Sequence, residues 1–87
     1  MSSPITLYTT NWCPDCWRVK TFLKERGIPY REVNIERDAD AQAIVMQANN
    51  GKRSVPTLEF EGRHFSCSPF NATRLANELR VPLNPKS

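Results

Sequence analysis

At 87 residues the chain has room for one domain with a modest core. Twelve Lys and Arg against nine Asp and Glu leave a net charge of +3, scattered except for the doublet Lys52-Arg53, so no basic stripe suggests a nucleic-acid surface. No apolar run nears the ~18 residues of a membrane span, and Met1-Ser2-Ser3-Pro4 carries no charged-then-apolar leader pattern.

The first predicted element is a buried strand over Ile5 to Thr9, with Ile5, Leu7 and Thr9 on one face and Thr6 and Tyr8 on the other. Tyr8 is expected to pack in the core or at the sheet edge. Thr10 to Trp12 form a loop. Pro14 suits the first turn of a helix, where its missing N–H is not needed. That helix runs to about Arg26, with Val19, Phe22 and Leu23 inward, and Gly27 stops it. Pro29 opens a second strand, Tyr30 to Ile35, which completes a parallel βαβ unit. Asp38 caps the next helix. Its apolar set Ala41, Ile44, Val45 and Ala48 falls at i, i+3, i+4, i+7, and Asn49-Asn50-Gly51 ends it. Thr57 to Phe60 and Arg63 to Ser66 make a hairpin about Glu61-Gly62. Ser68-Pro69 reads as an N-cap with Pro at the first helical position. Ala72, Leu75, Ala76 and Leu79 form the last helical stripe, which Pro82 stops. The reading is an α/β chain in the order β-α-β-α-β-β-α, one domain over residues 1–87 with flexible tails at 1–4 and 83–87.

The chemistry sits between the first strand and the first helix, in Trp12-Cys13-Pro14-Asp15-Cys16. A Cys-x-x-Cys pair at a strand-to-helix junction is a redox signal. Cys13 falls at the helix N-terminus, where free N–H groups and the helix dipole favour an anion. The thiolate is the reactive form of cysteine. Cys16 lies one turn on, on the same face, placed to attack a mixed disulfide on Cys13. Cys13 is therefore read as the nucleophile and Cys16 as the resolving thiol. Trp12 belongs to the site's apolar rim, and Trp17 is expected to be partly exposed. Asp15 adds a negative charge inside the loop that opposes a thiolate. Three cysteines in a reducing compartment do not make a structural disulfide framework, which leaves Cys67 spare and accessible to mild alkylation. A zinc set of Cys13, Cys16, His64 and Cys67 is not expected, because residues 64 and 67 fall on opposite faces of a strand.

The stretch Leu7-Tyr8-Thr9-Thr10-Asn11-Trp12-Cys13-Pro14-Asp15-Cys16-Trp17-Arg18-Val19-Lys20 resembles the start of a glutaredoxin. Arg53-Ser54-Val55-Pro56-Thr57 resembles the Thr-Val-Pro loop of the thioredoxin superfamily. The resemblance covers about Ile5 to Val81 and is nearest to mycoredoxins and the redoxins that partner ribonucleotide reductase. It implies a thioredoxin-like (glutaredoxin) fold, a four-stranded mixed sheet with three helices. It also implies a cis peptide before Pro56, which turns the Val55 backbone toward the thiols and toward a substrate strand. By resemblance Arg53 contacts a carboxylate of a small thiol, and the helix end at Ser68 receives the other. Pro14 and Asp15 complete the motif facing the substrate. The chain departs from the glutaredoxin pattern at Phe65-Ser66-Cys67-Ser68-Pro69-Phe70, where the usual Gly-Gly and Asp are absent. Its Ser-Pro resembles the Asn-Pro of mycoredoxins.

The function this implies is reduction of protein disulfides, or of mixed disulfides with a low-molecular-weight thiol, by a Cys-Pro-Asp-Cys dithiol. No bound cofactor or metal is expected. Electrons would come from glutathione, mycothiol, bacillithiol or a thioredoxin reductase, and the partners would be disulfide-containing client proteins. A cytoplasmic monomer is expected, with no nucleic-acid or membrane partner. The alternative is a metal or iron–sulfur cluster carrier using the same cysteines, against which Pro14 argues.

Overall fold

Ile5–Thr9 forms the strand β1, and every other strand is placed by reference to it. The computed structural model describes residues 5–83; the tails expected at 1–4 and 83–87, Leu83 apart, lie outside the described residues. After β1 come helix α1 (Pro14–Glu25), strand β2 (Tyr30–Asn34), helix α2 (Ala39–Ala48), strands β3 (Thr57–Phe60) and β4 (Arg63–Ser66), and helix α3 (Ala72–Leu79). The sheet order is β2-β1-β3-β4. β2 lies parallel to β1 in register Ile5↔Tyr30, while β3 lies antiparallel to β1 with Leu7 opposite Leu58. β4 returns antiparallel to β3. The expected element order and the mixed four-stranded sheet are therefore both present.

Alternation along β1 divides the core. Ile5 and Leu7 join Leu58 and Phe60 on one face, against Val19, Phe22 and Leu23 of α1 and Leu75, Ala76 and Leu79 of α3. Tyr8 points the other way and packs with Ile35, Ala41 and Val45 under α2. Burying these apolar faces is what holds the three layers together. No helix among the described residues is long and apolar enough to cross a membrane.

The punctuation of the chain follows local chemistry. Gly27 has φ +65°, and a Schellman pair closes α1, with Gly27 N–H on Lys24 C=O at 3.1 Å and Ile28 N–H on Leu23 C=O at 2.9 Å. Asp38 caps α2 by accepting from Ala41 N–H at 3.1 Å. Glu61 and Gly62 both take positive φ, the two-residue turn that matches strand twist.

Two expectations about the helices fail. In α2 only Ala41 and Val45 are buried, whereas Ala48 is exposed and Ile44 is 38% exposed. The helix meets the sheet along an i, i+4 line, with Gln42 and Met46 half-buried beside it, so the stripe turns away from Ile44. Ser68-Pro69 does not start α3. The cap is Asn71, whose Oδ1 accepts from Arg74 N–H at 2.9 Å. Ser68-Pro69 belongs to the preceding loop and contains a cis peptide bond.

Candidate active site

The loop after β1 delivers Cys13 to the start of α1, where it is itself the N-cap residue. Its backbone is extended, and its C=O accepts the first helical bond, from Trp17 N–H at 3.2 Å. Its Sγ accepts from the Cys16 N–H at 3.1 Å. The side-chain oxygen of an ordinary cap is replaced by a sulfur facing a backbone donor. Pro14 follows in the first turn, as the sequence predicted. Asp15 is in the helix rather than the loop. Its carboxylate pairs with Arg18 at 2.9 Å and accepts from the Ser68 hydroxyl at 3.5 Å, so its charge is shared rather than aimed at Cys13 alone.

The two thiols differ in environment. Cys13 is part-exposed at the surface, whereas Cys16 is 1% exposed. Burial, and then the hydrogen bond with Cys13, push the Cys16 thiol up to about 12. A backbone hydrogen bond from Thr10 and the charge of Lys20 act in the opposite direction.

The second wall comes from the loop before β3. The Val55–Pro56 peptide is cis, as the resemblance implies. The Val55 C=O accepts from the Cys13 thiol at 3.8 Å. Side chains hold this loop from behind. Thr57 Oγ1 donates to Ser54 C=O at 2.6 Å and accepts from Asn49 Nδ2 at 3.1 Å, which ties the loop to the end of α2. The Pro56 C=O accepts from Cys67 N–H at 2.9 Å.

Trp12, Cys13, Pro14, Asp15, Arg53, Val55 and Ser68 line one cleft of about 350 Å³. Cys16 and Pro56, which do not line it, are buried. Trp12 is 78% exposed at the rim, and Trp17 stands exposed on the helix nearby. The structure thus gathers residues from four separated stretches. The sequence reading missed Thr10, Ile35 and Glu36, which complete the lining. The available signal was their position just past the C-terminal ends of the parallel strands β1 and β2, where α/β sheets open their ligand crevices.

Ser68 lines the cleft from the loop after β4, and the helix start expected there lies instead at Asn71. Cys67 is 1% exposed in the core beside Phe60 and Leu75, which overturns the expectation that it is open to alkylation. Burial pushes its thiol up as well. His64 faces the other side of the sheet, toward Glu59 and Ile44, so the sheet separates it from Cys67. Among the described residues no group of three or more His, Cys, Asp or Glu is placed to hold a metal.

The glutaredoxin family model matches residues 5–65. A putative glutaredoxin of Mycobacterium tuberculosis is 43% identical over 60 residues, covering 69% of this chain and 71% of the relative. Mycoredoxin 1 of Corynebacterium glutamicum is 32% identical over 75 residues, covering 85% of this chain and 91% of the relative. The crystal structure of a mutant thioredoxin-like protein superposes with a TM-score of 0.78 at 28% identity, covering 92% of this chain and 99% of that one.

Proposed function

The chain belongs to the glutaredoxin family and has its thioredoxin-like fold, and from that premise we propose that it is a thiol–disulfide oxidoreductase working through Cys13 and Cys16. The observation that carries this reading is the asymmetry of the pair: Cys13 at the cleft with a backbone N–H on its sulfur, Cys16 buried one turn behind. The Cys13 thiolate attacks one sulfur of a substrate disulfide and forms a mixed disulfide, releasing the other sulfur as a thiolate. Cys16 then attacks Cys13 Sγ, which closes an intramolecular disulfide and releases the reduced substrate. On a mixed disulfide of a small thiol, a second small thiol can take the place of Cys16.

The substrates are client-protein disulfides and mixed disulfides of low-molecular-weight thiols. The Val55 backbone offers an edge against which an extended substrate strand can lie beside the reacting sulfurs. Arg53 supplies a guanidinium fork for a carboxylate at the rim of the cleft. Electrons return from glutathione, mycothiol, bacillithiol or a thioredoxin reductase. The reducing cytoplasm is the compartment in which such a dithiol is kept reduced between turnovers.

The test is to oxidise the protein and offer each donor separately. The thioredoxin reductase is supplied with NADPH, and the small thiols are supplied one at a time. Thiol recovery at Cys13 and Cys16 is read by alkylation and mass. Recovery of both with at least one donor is expected. A protein that stays oxidised with all of them, or never forms the Cys13–Cys16 disulfide, would contradict the reading.

A further inference from the structure

A buried resolving thiol raises a problem that the Cys-x-x-Cys motif alone does not answer. Cys16 has to lose its proton when it attacks, in a place where water cannot solvate the charge. Lys20 lies four residues on, one turn along α1 and on the same face as Cys16. Its ammonium is not left to wander. Nζ donates to Glu32 Oε2 of β2 at 3.2 Å. The same oxygen accepts from Thr9 Oγ1 at 2.8 Å, and Thr9 is 1% exposed at the end of β1. Thr10, the next residue, lines the cleft beside Cys13. Thr9, Glu32 and Lys20 therefore form one hydrogen-bonded set that ties the Cys16 face of α1 to β1 and β2.

We propose, resting on the dithiol reading above, that Lys20 is a positioning residue for the resolving step, anchored by Glu32 and Thr9 so that its positive charge stands beside the Cys16 sulfur as that sulfur loses its proton. The step balances as an exchange. Cys16–SH and Cys13–S–S–R give Cys13–S–S–Cys16, and the proton from Cys16 leaves with the departing R–S⁻ as R–SH. Lys20 gains and loses nothing. At Cys16 the charge of Cys13 holds the proton on, and the charge of Lys20 acts in the opposite sense. The Lys20–Glu32 pair is partly exposed, so it adds little to folding. Its consequence is kinetic and confined to the second half of the cycle.

The experiment uses dithiodipyridine, an uncharged disulfide whose thiopyridone product absorbs, so that removing a lysine charge does not change the encounter. In a Cys67→Ala background, stopped flow resolves two releases. The first is attack by Cys13 and the second is resolution by Cys16. Lys20→Met keeps the aliphatic stem and removes the charge. It is expected to slow the second release roughly tenfold and leave the first unchanged. Lys20→Arg is expected to restore the second rate, which a mere packing role would not require. An unchanged second rate in Lys20→Met, or equal slowing of both releases, would overturn the proposal. A parent protein that releases one thiopyridone only, matching its Cys16→Ser variant, would instead overturn the dithiol reading on which the proposal rests.

Discussion

At the scale of single residues, Cys16, Cys67 and Tyr8 share one consequence of burial. Each is buried, and desolvation is the main reason each holds its proton more tightly than when exposed. Between the ordinary thiol value of 9.0 and the raised value of about 12 for Cys16, the folded chain carries more protons than the unfolded one. Stability is therefore full below the unfolded value and declines as pH rises toward the folded one. Tyr8 adds to the decline above its ordinary value of 10.0. Urea midpoints at about pH 8 and about pH 10.5 should show the decline, and the double variant Cys16→Ala, Cys67→Ala should show a shallower one. Equal declines in both proteins would contradict this account. Cys67 was not legible as a core residue from the sequence. A lone cysteine just past a strand gives no sign of its direction until α3 is seen to cover it. Cys67→Ser should lose about 1–3 kcal/mol in denaturant unfolding, by placing a hydroxyl in an apolar cluster. Turnover per folded molecule should be unchanged. A loss of turnover without a loss of stability would mean Cys67 takes part in the chemistry.

Among the elements, β1, α1 and the hairpin were readable because period, cap and stop signals agree there. Val19, Phe22 and Leu23 sit at helical spacing, Pro14 opens the helix and Gly27 ends it. The start of α3 was misread because two signals compete within four residues. Ser68-Pro69 has the cap-then-proline pattern, but Asn71 has the extended backbone and the free carbonyl oxygen that meet Arg74 N–H. The two predict different variants. Asn71→Ala should lose about 1 kcal/mol of stability by removing the cap. Ser68→Ala should stay within about 0.5 kcal/mol, since among the described residues its hydroxyl makes only a long surface contact with Asp15. The reverse order in thermal or urea unfolding would restore Ser68 as the cap. The face of α2 was misread for a different reason. Ala41, Ile44, Val45 and Ala48 suit any of several rotations, and only the position of Tyr8 and Ile35 beneath the helix decides among them.

Over the whole molecule, the site depends on contacts that no local pattern contains. Cys13 comes from the start of α1 beyond β1, Val55 from the loop before β3, Glu36 from beyond β2 and Ser68 from beyond β4, and the sheet order brings them to one end. The sequence could point to the motif residues by their chemistry, and to Arg53, Val55 and Ser68 by resemblance. It could not place Glu36, or join Lys20 to Glu32 across twelve residues, because those contacts depend on parallel pairing and helix rotation together. What the assembled cleft makes distinct is one part-exposed cysteine with one hidden behind it. Intact-mass analysis of single-cysteine-pair variants after brief exposure to a small-thiol disulfide tests this most directly. Cys16→Ser should accumulate one small-thiol adduct, mapped to Cys13, while Cys13→Ser should remain unmodified under the same conditions. Rapid adduct formation on Cys16 in Cys13→Ser, with none on Cys13 in Cys16→Ser, would contradict the assignment of nucleophile and resolving thiol.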